Sequence, residues 1–205
     1  MAGLRARQKA DREQRILAAA TALFREIGYE RTKIESIAAH AEVSTGTVYN
    51  YYENKGDLLV AIVSMEVNEV LNAGSRLVAN PPRNVELAVN RLMSIYLDHS
   101  LVYLSKQMWR HAMAISTQQP ETRFGRTYQE LDLLLTSQVC SLIARLQKEG
   151  VVRVDVDAKA VGEMLFNNAN NMFIMFVKNK TMSLKMLRRA IARQNAPLVA
   201  AIRSA

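Results

Sequence analysis

The sequence predicts an all-α protein, on three observations. Apolar residues recur at the three-and-four spacing of amphipathic helices along almost the whole chain. Only Val151–Val156 alternates like a strand, and it is short. Breakers are sparse, with eight glycines and four prolines in 205 residues, so the helices between them can be long. Apolar residues make up 49% of the chain, enough for a sizeable core.

Residues 1–10 carry Arg5, Arg7 and Lys9 but no apolar face, and a disordered basic arm is expected there. The first helix runs from about Asp11 to Ile27 with Ile16, Ala20, Leu23, Phe24 and Ile27 on one side, and Gly28 ends it as a left-handed cap. Thr32 is read as the N-cap of the second helix, with Glu35 completing a capping box. That helix turns Ile34, Ile37, Ala38 and Ala41 to one side. A break at Glu42-Val43-Ser44 follows, and Ser44 caps a short third helix reaching about Tyr52. The fourth helix starts after Asn54 and carries Leu58, Leu59, Ile62, Val63, Val67, Val70 and Leu71. Asn80-Pro81-Pro82 is a strong stop. Helices are expected over about Asn84–His99 and Val102–Ser116, with a break at Gln119-Pro120. A long helix over about Glu121–Glu149, with an interruption allowed at Gly125, ends at Gly150. Asp155 or Asp157 caps the next helix, which reaches Val177, and Ser183 opens a last helix that can bend at Pro197. The domain reading is an arm (1–10), a small helical domain (11–58) and a larger helical domain (59–205).

The formal charge of +8 favours a polyanionic partner, nucleic acid or membrane surface, but a merely solvated basic surface explains it as well. The single cysteine, Cys140, rules out an intrachain disulfide or a multi-cysteine zinc site. His40, His99 and His111 are scattered, and no phosphate-cradling glycine loop or nucleophile elbow is present. No enzyme activity, metal or cofactor is therefore expected. The N-terminal residues have no apolar run behind them and no stretch approaches 18 apolar residues, so neither secretion nor membrane spanning is expected, and a reducing cytoplasm is the expected compartment.

Between Ile34 and Tyr52 two short helices are joined by a three-residue turn. Ala38 allows them to cross closely, Val43 plugs the turn, and Val48 and Tyr52 share an inward face. Thr45, Gly46, Thr47, Tyr49, Asn50 and Tyr51 are left on the open side. Threonine can touch base edges or a thymine methyl, and asparagine can pair with adenine. Gly46 lets the backbone approach, and Tyr49, Tyr51 and Lys55 can reach phosphates, as can the N–H groups at Thr32-Lys33. On geometry alone, a helical hairpin that only packs remains open, as does a protein-interaction or small-molecule-binding protein without DNA binding.

The runs Thr32-Lys33-Ile34-Glu35-Ser36-Ile37-Ala38, Val43-Ser44-Thr45-Gly46-Thr47-Val48-Tyr49-Asn50-Tyr51-Tyr52 and Asn54-Lys55-Gly56-Asp57-Leu58-Leu59 closely resemble the DNA-binding region of the TetR family. Ile16-Leu17, Ala20, Leu23-Phe24 and Gly28-Tyr29 match as well, so the resemblance spans about Arg12 to Val63. It implies a ligand-responsive regulator, by default a repressor, that binds a palindromic operator as a dimer. It implies DNA contacts from Thr32, Lys33, Ser44, Thr45, Gly46, Thr47, Tyr49, Asn50, Tyr51 and Lys55. Two positions depart from the pattern. Glu42 stands where glycine is common, at a cost on the order of 1 kcal/mol if left-handed. Tyr52 stands for phenylalanine, and its hydroxyl needs a partner.

For the larger half the resemblance is one of architecture. It implies a homodimer through Leu131–Leu146 and Ala158–Val177, and the second segment is apolar nearly all round, as a helix covered on several sides must be. It also implies a pocket for a small effector. Methionine is concentrated after residue 60, and flexible thioethers suit an adaptable apolar pocket, although core filling explains them equally. Tyr96, Met108, Trp109, Met113, Tyr128 and Asn168 are the wall residues this reading selects, for an apolar effector.

Overall fold

The computed structural model describes residues 2–204, and of Ala2, Leu4 and Arg5 the backbone alone. Among the described residues there are nine helices: α1 (Ala2–Glu26), α2 (Ile34–His40), α3 (Thr45–Tyr49), α4 (Lys55–Ala79), α5 (Val85–His99), α6 (Lys106–Gln118), α7 (Arg123–Lys148), α8 (Ala158–Lys178) and α9 (Leu184–Ile202). No strand occurs among them. The alternating stretch at 151–156 supplies one isolated bridge, Val152 to Arg203.

The basic arm is corrected first: α1 is helical from Ala2, not from Asp11. Alanine, glutamine, lysine and arginine are good helix formers, and no breaker separates them from Asp11, so the register continues. α6 starts at Lys106, four residues beyond Val102, because Ser105 accepts the Met108 N–H as its cap. α7 passes through Gly125 unbroken. A Cβ there would lie 2.4 Å from the Gln119 carbonyl oxygen, so this glycine serves close packing. Asp157, not Asp155, caps α8, accepting from the N–H groups of Lys159 and Ala160. The ends at Gly28 and Gly150 are left-handed, with φ of 90° and 75°.

The chain divides into two compact units. The first comprises Met1–Met65 with Tyr103–Tyr128, and the second Glu66–Val102 with Gln129–Ala205. In the first unit, Ile16, Ala20 and Phe24 of α1 are buried together with Ile37, Val48, Leu58, Leu59 and Ile62. α6 adds Met108, Trp109 and Ala112 to this core. His111 of α6 lies against the Tyr29 ring, with centroids 5.1 Å apart.

In the second unit the core is Leu92, Val139, Leu142, Ile143, Leu165, Phe176, Leu187 and Ile191. α7 and α8 approach closely because Gly162 lies against Cys140: a Cβ on Gly162 would come within 2.5 Å of the Cys140 Cα. His99 stands between two carboxylates of α4, its Nδ1 2.8 Å from Glu66 and its Nε2 3.0 Å from Glu69. By length and mean hydropathy α4 could cross a membrane, but half of its apolar window is buried inside the protein, as in the core helix of a folded domain.

Candidate nucleic-acid interface

The turn between α2 and α3 is built from backbone hydrogen bonds. The N–H groups of Ala41, Glu42 and Val43 donate to Ile37, Ala39 and Ala38. Closing it this tightly requires a left-handed residue, and Glu42 takes that conformation with φ of 56°, at a cost on the order of 1 kcal/mol. From α1, Arg15 donates to the Ala41 carbonyl at 3.0 Å and holds the turn. Ser44 caps α3 by accepting the Thr47 N–H at 3.1 Å, and its hydroxyl also meets the Thr47 hydroxyl at 2.8 Å. Val48 and Tyr52 are buried as expected. The Tyr52 hydroxyl finds its partner in Glu13, 3.3 Å away. Burial and that neighbouring carboxylate push the phenol well above its ordinary range.

The opposite side of α3 is open. Gly46, Tyr49 and Asn50 are exposed, and Thr45, Thr47 and Tyr51 are half-exposed. Gly46 is informative because the protein does not need a glycine there. A Cβ would meet nothing nearer than the Ser44 hydroxyl at 3.9 Å, and the residue is ordinary helix. The space it leaves faces outward, where a partner surface would come close to the backbone.

Three residues expected at phosphates are held elsewhere, and one of them, Tyr51, spends its hydroxyl on the Lys9 carbonyl at 3.1 Å. Thr32 is buried and does not cap α2. Its hydroxyl donates to the Gly28 carbonyl at 2.8 Å and its own N–H donates to the same oxygen at 3.2 Å, so neither is left for a phosphate. Lys33 is the N-cap of α2, exposed and without a side-chain cap bond. Lys55 turns inward: its Nζ donates to the carbonyls of Tyr29, Glu30 and Thr32 at 2.7, 3.0 and 3.2 Å. It also lies 4.5 Å from the centre of the Tyr29 ring. Burial, reinforced by Glu30 and Asp57, pushes the Tyr29 phenol up to about 12. Lys55 thus ties the α1–α2 corner, a role invisible in sequence because the three carbonyls lie 23–26 residues away. Sequence reasoning also missed Arg15 and Glu13, which fix the turn and Tyr52 from α1.

The six residues selected for an effector pocket are divided between the units. Met108, Trp109, Met113 and Tyr128 lie in the first, and Tyr96 and Asn168 in the second. Met108 and Trp109 are core, and Tyr128 stacks on Phe124 at 6.4 Å. The Tyr96 hydroxyl donates to Gln138 at 2.7 Å, and Asn168 donates to Asn195 at 2.8 Å. Asn195, only 4% exposed, keeps its own Nδ2 without an acceptor. Gln138 and Asn195 carried no signal in the sequence. Among the described residues no group of three His, Cys, Asp or Glu side chains is arranged to hold a metal.

Residues 16–62 match the family model of the bacterial regulatory proteins, tetR family. The chain is 22% identical over 177 residues to the fatty acid metabolism regulator protein of Bacillus subtilis, covering 84% of this chain and 87% of that protein. Its fold is shared by a TetR-family transcriptional regulator of Mesorhizobium loti, with a TM-score of 0.73 and 22% identity over 96% of this chain and 98% of the other. It is shared too by the Thermus thermophilus repressor FadR, solved with lauroyl-CoA, with a TM-score of 0.68 and 22% identity over 91% and 92%.

Proposed function

The chain belongs to the TetR family of bacterial transcriptional regulators, and from that premise we propose that it is a cytoplasmic repressor, not an enzyme. It binds a palindromic operator as a homodimer and releases it when a small molecule with an apolar chain binds. The observation that carries this reading is the outer face of α3, where Gly46 is open, Tyr49 and Asn50 are exposed and Thr45 and Thr47 are half-exposed. These side chains suit base edges and phosphates in a major groove. Lys33 adds a contact at the start of α2, whereas Thr32 and Lys55 support the head from within.

The dimer reading is supported by apolar side chains left in water on α7 and α8. Leu133 and Leu134 are 60% and 50% exposed, and Met164 and Met175 are 58% and 53% exposed. Met164, Asn167, Asn171 and Met175 recur at three-and-four spacing and are all exposed, so they form one stripe. A second copy of the same surface would cover it, with the amides paired across the two-fold axis. For the effector, the lauroyl-CoA held by the Thermus thermophilus relative makes acyl thioesters the first class to test.

Selection of sites from random duplex DNA, followed by affinity measurements at two salt concentrations, tests the reading. An enriched palindrome whose affinity falls steeply with salt is expected. Lauroyl-CoA should then weaken binding roughly 5–150-fold. No enriched sequence, with or without cell extract as a source of effector, would overturn DNA recognition. Retained operator affinity across an acyl-chain series would overturn the effector class alone.

A further inference from the structure

α1 begins nine residues before the expected Asp11, and this extension is held against the DNA-reading head. The Tyr51 hydroxyl donates to the Lys9 carbonyl at 3.1 Å, and the Lys9 ammonium lies 6.0 Å from the centre of the Tyr51 ring. Tyr51 in turn stacks on Tyr52 at 6.3 Å, and Tyr52 is buried and bonded to Glu13 of α1. The start of α1 and the end of α3 are thus fixed as two walls. Between them runs an open groove of about 540 Å³ lined by Gln8, Lys9, Arg12, Thr47, Asn50 and Tyr51. None of these six side chains is a carboxylate, none is aliphatic, and all can donate hydrogen bonds. Lys9 and Arg12 are exposed. The Arg12 Nε donates to the Gln8 carbonyl one turn back at 3.1 Å.

We propose that this groove binds the operator's phosphodiester backbone. Lys9 and Arg12 supply the charge, Gln8, Thr47 and Asn50 supply hydrogen bonds, and Tyr51 holds the α1 wall in place. The proposal rests on reading α3 as the helix that reads bases. Because Thr47 and Asn50 belong both to the groove and to the outer face of α3, a duplex seated on α3 brings its backbone into the groove. An open polar groove with two cations fits a continuous strand better than an enclosed metabolite, which needs burial on most sides. Because the extension is already helical, its cations are positioned without the ordering cost of a disordered arm.

The test uses the full-length protein, its selected operator and the double variant Lys9→Ala/Arg12→Ala. Neither side chain is buried, so the unfolding temperature should not change. Each head loses two phosphate-bound cations, so the slope of log K against log salt should become shallower by about one per cation. Affinity should fall about equally on operator and unrelated DNA, with base preference retained. Neutral methylphosphonate linkages, scanned along the operator, should weaken the wild type at one or two positions and leave the variant indifferent there. Lys9→Arg/Arg12→Lys should restore the slope. The variant Lys185→Ala/Arg193→Ala removes equal charge from α9, and if it gave the same loss the effect would be net charge and the proposal would fall. An unchanged slope in the Lys9/Arg12 variant, with wild-type operator binding intact, would overturn the groove alone. A wild type that binds no duplex would overturn both the groove and the regulator reading.

Discussion

Replacing Lys55 with methionine keeps the apolar stem and removes the ammonium, so the substitution isolates what the charge does. Three carbonyls lose their donor, at 2.7, 3.0 and 3.2 Å, and the Tyr29 ring loses the cation over its face. A hydrogen bond contributes about 0.5–1.5 kcal/mol net, and a half-exposed cation–π contact about 0.5–1 kcal/mol. Water can reach the carbonyl of exposed Glu30, so the lower part of the range applies there, and the whole change comes to about 2–3 kcal/mol. For a chain of this size that is a fall in Tm of roughly 5–10 °C, measurable by circular dichroism in the absence of DNA. Backbone amides of residues 29–32 should also lose hydrogen-exchange protection before the rest of the first unit does. A Tm within about 1 °C of wild type, together with lost operator affinity, would refute the reasoning and return Lys55 to a phosphate.

Gly162→Ala should destabilise by about 1–3 kcal/mol in urea unfolding, because its Cβ would sit 2.5 Å from backbone of Cys140 and the two helices must part. Gly46→Ala should leave stability near wild type, since nothing lies within 3.9 Å of the added methyl, while operator affinity falls. Burial pushes the Asp132 carboxyl up to about 6, above its unfolded value near 3.9. Its protonated form is thus favoured in the fold, a contribution present below about pH 4 and lost as pH rises through about 6. Asp132→Asn should therefore stabilise the protein at pH 7–8 by at most about 3 kcal/mol, with the gain vanishing toward pH 4. Met164→Glu should shift the protein from dimer to monomer in sedimentation equilibrium with its helix content unchanged.

The reading head was legible because its signals are local. Val48 and Tyr52 sit inward at helical spacing, Ser44 caps, and the sequence flags Glu42 as the position a tight turn would force to positive φ. Each of these depends on residues within one or two turns, where chain connectivity restricts the geometry. The cap at Ser183, and Asp157 as one of two candidates, were legible for the same reason, whereas Asn84 was read as helix and is the N-cap. What the sequence left open was the long-range choice among partners of equal chemistry. Thr32 has a hydroxyl that suits an N-cap, yet the Gly28 carbonyl takes it together with the Thr32 N–H. Lys55 suits a phosphate, yet three carbonyls more than twenty residues away converge on it. The arm at 1–10 has no apolar face of its own, and its helix is secured by Tyr51. α6 joins the first unit through side chains that read only as apolar, and Asn168 meets Asn195 across 27 residues of chain. Composition and periodicity state what a side chain can bond to. Only the packed tertiary structure decides which of the available donors and acceptors arrives within 3 Å.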